Sequence, residues 1–152
     1  RQRDNIGRLL TAGIETELAF RPYPLWSFSV SHVYDHTEIL ESDDPELVGK
    51  RQRQTPLNQF VVRAACDDHS LLAFALQGRY VSRLFDDDVN KLPSGDFFVM
   101  DLHLSREFMR EGEVFVGVEN LLDRVYEVRR STTGYVEVGR PRYVHGGIRV
   151  RI

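Results

Sequence analysis

Apolar and polar residues alternate with a period of two along most of this 152-residue chain. In the stretch WSFSVS, for example, Trp26, Phe28 and Val30 alternate with serines. Successive side chains of a β-strand point to opposite faces of a sheet, so the pattern predicts strands with one apolar and one polar face. No convincing amphipathic helix of useful length is found. Seven candidate strands lie near residues 12–21, 26–31, 60–67, 72–83, 98–105, 114–119 and 145–152.

The connections between these strands are alternately short and long. RPYPL, DDHS and MREGE are short, whereas the connections near residues 35–58, 85–95 and 124–141 are long, polar and rich in Asp, Pro, Gly and Arg. This alternation is typical of an antiparallel up-and-down meander with turns at one end and loops at the other. The predicted fold class is therefore an all-β meander of about seven strands.

Alternation fits two architectures, a soluble β-sandwich and a transmembrane β-barrel. Three features favour the barrel: runs near the ~9–11 residues of a spanning strand, aromatic residues near strand ends, and a heavily charged polar face. The sandwich remains the alternative, as a soluble binding domain, and a small passive barrel would need an eighth strand. A net charge of -3 argues against a basic nucleic-acid binder, and the single Cys66 excludes an internal disulfide.

The last third of the chain carries short motifs in a specific order. The segment EVFVGVENLLDRVYEV fits V-x-N-L-x-D-x-x-Y, and GYVEVGRPR fits G-Y-x-x-x-G-R-P-R. Upstream, GKRQRQTP fits G-K-x-x-x-x-T-P. In these motifs and their order, from about Gly13 to the end, the chain resembles the C-terminal barrel of a TonB-dependent outer-membrane receptor.

The resemblance implies that residues 1–152 are the C-terminal segment of a transmembrane barrel of about 22 strands, with the plug domain and TonB-binding box elsewhere in a longer protein. It implies the outer membrane of a Gram-negative bacterium, with membrane lipid, TonB, the plug and a nutrient ligand as partners. The nutrient is expected to be a ferric siderophore; haem, cobalamin and glycans are the other classes that the family imports. No cofactor or nucleic acid is implied. Because seven strands leave two open edges, the chain alone is predicted not to form a stable soluble monomer.

Candidate site residues follow from this arrangement, and none forms a catalytic constellation, so the chain is not predicted to be an enzyme. The ligand-facing candidates lie in two long loops: Lys50, Arg51, Arg53, Asp86, Asp87 and Asp88. The candidates for the lumen or plug-facing wall are Arg63, Arg79, Arg83, Asp101, Glu119, Arg149 and Arg151. The C-terminal strand, with Ile148, Val150 and Ile152 on its apolar side, is the element that the resemblance assigns to barrel closure and assembly, although Ile152 replaces the usual terminal aromatic.

Metal-binding patterns are weak in this sequence. Asp86, Asp88 and Asn90 have the spacing of a calcium loop, but Lys91 and Phe97 stand where such a loop needs Gly and Glu. His32 and His36 share one strand face about 13 Å apart, too far to bind one ion without a bend. Solvated loops and ordinary strand residues explain these positions better, so no metal site is predicted.

Overall fold

A computed structural model describes residues 6–108 and 111–150. Eleven strands and one short 3₁₀ helix, Pro45–Leu47, occur in these ranges. The strands are β1 (Ile6–Tyr23), β2 (Trp26–Ser42), β3 (Asn58–Cys66), β4 (Ala73–Val81), β5 (Leu84–Phe85), β6 (Pro93–Ser94), β7 (Phe97–Phe108), β8 (Gly112–Glu119), β9 (Glu127–Arg130), β10 (Val136–Val138) and β11 (Tyr143–Val150). Within the described ranges, no helix is long and apolar enough to cross a membrane.

Seven strands form one antiparallel sheet in the order β1-β2-β3-β4-β7-β8-β11. Each strand pairs with its neighbour along the chain, apart from the short hairpins inserted in two loops. This confirms the predicted seven-strand meander. β1 and β11 are the edges, and within the described residues neither has a second partner strand.

The first hairpin is longer than the sequence pattern predicted. We expected a long connection from residue 35, but β2 continues to Ser42 and stays paired with β1, as in Thr11↔Thr37 and Leu9↔Ile39. The buried side chains switch to the opposite face here: Thr37 is 2% exposed and Ile39 is 1% exposed, whereas the side chains of their neighbours His36 and Glu38 lie 3.6 Å apart on the other face. Here the buried residues stand at odd positions, whereas the apolar residues at the start of β2 stand at even ones. The period-two pattern is therefore interrupted, and the sequence predicted a strand that is too short.

Two loop hairpins were also missed. β5 pairs with β6 inside the second long connection, and β9 pairs with β10 inside the third. These strands are two to four residues long, and alternation is not recognisable over so few positions. The long connections are thus more ordered than their polar composition indicated.

The two faces of the large sheet differ in chemistry. One, the apolar face, exposes large hydrophobic side chains, including Ile14 (63%), Leu18 (66%) and Ile148 (68%). The other, the polar face, carries Arg63, paired across the strands with Gln77, which in turn is opposite Asp101. In the described residues no second large sheet packs on either face, so the arrangement is not that of a sandwich.

The sheet also has two distinct ends. The turn end is where β1 meets β2 (residues 24–25), β3 meets β4 (residues 67–72), and β7 ends beside the start of β8. The loop end contains the long connections at residues 43–57, 82–96 and 120–142, which we call the first, second and third loops.

Candidate functional site: the loop end and the polar face

The first and second loops are joined through Asn90. Its side-chain oxygen accepts a hydrogen bond from the Arg51 backbone N–H at 2.7 Å, and its Nδ2 donates to the Arg51 carbonyl at 2.9 Å. The Arg51 guanidinium lies over the Phe85 ring, 5.9 Å from the centroid, and donates to the Thr55 carbonyl at 3.2 Å. Arg51, a predicted ligand-facing residue, therefore also holds these loops together.

The second and third loops are joined through Asp86. Its Oδ2 accepts from the Arg130 backbone N–H at 2.7 Å and from the Ser94 hydroxyl. The Arg130 guanidinium in turn forms an ion pair with Glu127 at 2.7 Å. Since Ser94 is 2% exposed, this contact is enclosed by the loops. Asp86 thus connects two loops instead of presenting a free carboxylate.

The other charged loop candidates have different surroundings. Asp87 accepts from the backbone N–H groups of Lys91 and Leu92, at 3.0 Å and 2.7 Å, and so shapes its own turn. Arg53 and Asp88 lie 3.4 Å apart and neutralise one another across the first two loops. Lys50 alone among the six has no side-chain hydrogen bond or ion pair with the described residues. The structure brings the set together, but mainly as a loop framework.

Asn120 is a residue that sequence reasoning named only as part of a motif. It is 3% exposed and has a φ of 49°, a left-handed conformation that asparagine tolerates better than most residues. Its Nδ2 donates to the carbonyls of Arg124 and Arg140, at 2.8 Å and 3.0 Å, and its Oδ1 accepts from the Arg124 N–H at 3.0 Å. One side chain therefore closes both ends of the third loop at the top of β8.

A shallow cavity of about 340 Å³ lies on the polar face. Two histidines, His103 and His145, flank it from either side of Gly117, which pairs with both residues across the strands. A side chain at Gly117 would meet the His145 ring, since a Cβ there would lie 2.5 Å from its Nε2. The predicted wall residues Arg63, Asp101 and Glu119 also line this cavity.

The remaining wall candidates are spread along the sheet. On the polar face, Arg79 lies 6.0 Å from the Phe97 ring centroid, and Arg149 forms a 2.7 Å ion pair with Glu113. Arg83 departs from the expected alternation, because β4 ends at Val81 and Arg83 lines a cavity with Tyr80 and Ser82 beside the apolar face. Arg151 lies outside the described residues.

Aromatic side chains occupy both ends of the apolar face. Toward the turn end, Trp26 stacks on Phe28 and meets Phe74 edge-on. Toward the loop end, Phe60 packs against Tyr80 and against His32, whose Nε2 lies 3.0 Å from Asn58 Oδ1. The hydrogen bond to Asn58 accounts for a histidine at this otherwise apolar position.

The edge strand β11 presents Ile148 and Val150 on the apolar face, 68% and 61% exposed, paired with Val114 and Gly112 of β8. Ile152, the third predicted assembly residue, lies outside the described residues. In the described part of the chain, no three His, Cys, Asp or Glu side chains cluster to hold a metal ion.

Known structures share this fold, although no protein-family model and no curated protein sequence matches the chain. The siderophore receptor PiuA from Acinetobacter baumannii superposes with a TM-score of 0.83 at 14% identity, over 93% of this chain and 22% of that protein. The ferric yersiniabactin uptake receptor FyuA from Yersinia pestis gives 0.79 at 21% identity, over 92% and 23%. The ferric citrate transporter FecA gives 0.78 at 18% identity, over 93% and 24%.

These comparisons define the class of fold: the chain is an antiparallel β-sheet of the outer-membrane receptor barrel type. More narrowly, its sheet has the fold of one segment of these siderophore and ferric citrate receptors, as the resemblance in its sequence predicted. It spans less than a quarter of the length of each of the three receptors.

Proposed function

We propose that this chain is the C-terminal part of the barrel of a longer TonB-dependent receptor, which imports a ferric siderophore across the outer membrane of a Gram-negative bacterium. The chain supplies part of the barrel wall, three external loops and the closing strand. TonB acts on the plug domain of the complete receptor, using energy from the inner membrane. The chain itself performs no chemical step and is not an enzyme.

The observation that carries this proposal is the division of the sheet into an exposed apolar face and a charged polar face, bounded by two open edges. An apolar face this exposed is expected to meet lipid, because water would penalise so large a contiguous patch. The edge strands β1 and β11 would pair with the rest of the barrel, which removes their unsatisfied backbone groups.

The dimensions of the apolar face suit a bilayer. On β2 it extends from Trp26 to Tyr34, nine residues whose ends lie about 27 Å apart along the strand. Aromatic side chains stand at both ends of this stretch, as in the interfacial girdles of membrane barrels. Beyond Tyr34 the same face carries the polar side chains of His36 and Glu38, 3.6 Å apart, which fits emergence into water.

The ligand class is supported by the receptors of the same fold, whose names specify a siderophore, ferric yersiniabactin and ferric citrate. All three are iron chelates. The loop end would face the outside, where the receptor captures its ligand. Among the described residues, Lys50 is the cation of the candidate loop set that has neither an ion pair nor a side-chain hydrogen bond, whereas the Arg51 guanidinium is held by the Thr55 carbonyl and the Phe85 ring. Lys50 is therefore the best placed to attract an anionic chelate.

A soluble β-sandwich binding domain is the competing function. It would need a second sheet against the apolar face. The described residues place only this one large sheet and two short loop hairpins, so the sandwich receives no support.

Uptake of radiolabelled iron by intact cells tests the proposal. Cells that lack the complete receptor should take up less iron from one ferric siderophore of a panel, and the intact gene should restore uptake only when TonB is present. Uptake of the same chelates without the receptor, or undiminished uptake without TonB, would contradict the proposal.

Lys50→Gln tests the capture role within that assay. We expect a roughly two- to fivefold rise in the Kd for an anionic ferric chelate, because one unscreened positive charge near a ligand is worth about 0.5–1 kcal/mol. Lys91→Gln, at the exposed second loop, is the matched control, since Lys91 already lies 3.9 Å from the carboxylate of Glu46. Equal affinities for the two variants would remove Lys50 from the ligand site.

A further inference from the structure

A second polar cavity lies at the loop end of the sheet, beside the apolar face rather than the polar one. We call it the rim cavity; it has a volume of about 320 Å³ and is lined by Arg51, Asn58, Tyr80, Arg83 and Asp96, among others. The position of Tyr80 shows where the cavity lies relative to the apolar face. The Tyr80 side chain is on that face, next to Phe60, and its hydroxyl donates to Asp96 Oδ2 at 3.4 Å. The cavity thus begins where the apolar face ends.

The charge of the rim cavity is positive. Arg51 and Arg83 contribute two guanidinium groups against the one carboxylate of Asp96. Within the described ranges neither arginine forms an ion pair, and the Arg83 guanidinium has no hydrogen-bond partner. Guanidinium groups hold phosphates through paired N–H donors.

A separate apolar groove lies further down the same face, on the other side of Tyr80 from this cavity. Its volume is about 250 Å³, and Phe28, Val30, Val62, Leu76 and Met100 line it around Gly78. A Cβ at Gly78 would lie 3.0 Å from the Phe98 ring and 3.1 Å from a Val62 methyl, so the groove depends on glycine. Along β4, Gly78 and Ser82 are about 13 Å apart, with Tyr80 between them.

We propose that the rim cavity and the groove together bind one phosphorylated lipid of the outer leaflet, with its phosphate at Arg51 and Arg83 and an acyl chain beside Gly78. This rests on the proposed function, because the apolar face must be the lipid-facing one. The charge of the cavity complements a phosphate, and the groove is continuous with the membrane-facing surface. A soluble anion would gain nothing from the groove, which argues for the lipid as the occupant.

Native mass spectrometry of the complete receptor, purified in detergent, tests the proposal. The probes are a phosphorylated lipid A, the same lipid after removal of its phosphates, and inorganic phosphate. We expect the receptor to retain the phosphorylated lipid, and Arg83→Gln to weaken retention roughly fivefold, since a basic residue near a lipid surface is worth about that factor. The double variant Arg51→Gln/Arg83→Gln should weaken it further.

Arg106→Gln is the matched control. Arg106 is an exposed arginine on the apolar-face side of β7, opposite Val114 toward the turn end, and loses the same charge. Equal loss of lipid in Arg106→Gln and Arg83→Gln would overturn the site, as would retention of the dephosphorylated lipid equal to that of the phosphorylated one. Binding of inorganic phosphate as tight as binding of the lipid would show a soluble-anion site and would also overturn the proposal.

Iron uptake by the same variants separates this inference from the proposed function. Normal uptake with unselective lipid binding would overturn the lipid site alone. Absence of the wild-type receptor from the outer membrane would instead contradict the proposed function, and with it the lipid site that depends on it.

Discussion

The two ends of the sheet are stabilised in different ways. At the turn end, the side chain of Asp68 accepts from the Ser70 hydroxyl and the Leu71 N–H, two and three residues away. At the loop end, Asn90 reaches Arg51 across 39 residues, and Asp86 reaches the Arg130 backbone across 44. Local sequence therefore builds the turns, whereas the loops depend on each other.

Replacement of Asn120 should destabilise the loop end more than any of the other substitutions described below, and it should leave the turn end unchanged. In Asn120→Ala, three side-chain hydrogen bonds are lost and a non-glycine residue keeps a φ of 49°. We expect the third loop to lose about 3 kcal/mol of protection against local opening, measured by amide hydrogen exchange in the complete receptor.

Asn120→Gly separates the two causes of that loss. Glycine adopts a positive φ without steric cost, so this variant should be milder than Asn120→Ala by about 1 kcal/mol. If amides of the turn end lose as much protection as those of the third loop, the substitution destabilises the whole sheet. That result would contradict the proposal that the two ends are stabilised independently.

Asp86→Ala should have the next largest effect. The substitution leaves the Arg130 N–H and the Ser94 hydroxyl without their acceptor, which should cost about 2 kcal/mol. Exchange should rise in both the second and the third loop.

Asp87→Ala is the matched control for Asp86→Ala. Asp87 accepts only from Lys91 and Leu92 within the second loop, so exchange in the third loop should stay unchanged. Unchanged protection of β9 in Asp86→Ala would show that the two loops are not coupled through this carboxylate.

Asp68→Asn, at the turn end, should have the smallest effect. The hydrogen bond from Ser70, followed by the one from Leu71, lowers the pKa of the Asp68 carboxyl below its ordinary value of 3.8. A lowered folded-state pKa means that the stabilisation is present above pH 3.8 and is lost as the pH falls through the folded-state pKa.

The Tm difference between the receptor and its Asp68→Asn variant checks this sign. It should be small and positive at neutral pH and should vanish in acid. A difference that grows on acidification would contradict the assignment. The effect should stay within residues 67–72, because the hydrogen-bond partners of the Asp68 side chain among the described residues are Ser70 and Leu71.

The turn end and the seven strands were predictable because both rest on local information. Alternation identified every strand of the large sheet, and the short turns followed from their spacing. β2 was truncated because Thr37 and Ile39 are buried on the face opposite to that of Phe28 and Val30. Thr37 and Ile39 are buried because the first loop covers this part of the strand. Its Gln52 N–H donates a hydrogen bond to Thr37 Oγ1 at 3.1 Å.

Most of the charged loop residues lie close to one another in the structure, but their hydrogen-bond and ion-pair partners could not be predicted from the sequence. Nothing local distinguishes Asp86, which bridges two loops, from Asp87, which caps its own turn, or from Asp88, which pairs with Arg53. Their partners are distant along the chain. Ligand contact at these positions stays a prediction.

The bridges between loops have an evolutionary consequence. Arg51, Asn90, Asp86 and Arg130 come from three connections that a receptor would have to alter in order to accept a different ligand. A substitution in one loop removes a hydrogen bond to the neighbouring loop. Variants in which a single loop is exchanged therefore lose the contacts that join it to the others. Among related sequences, these positions are expected to covary, and new specificities are expected to be inherited as whole sets of loops.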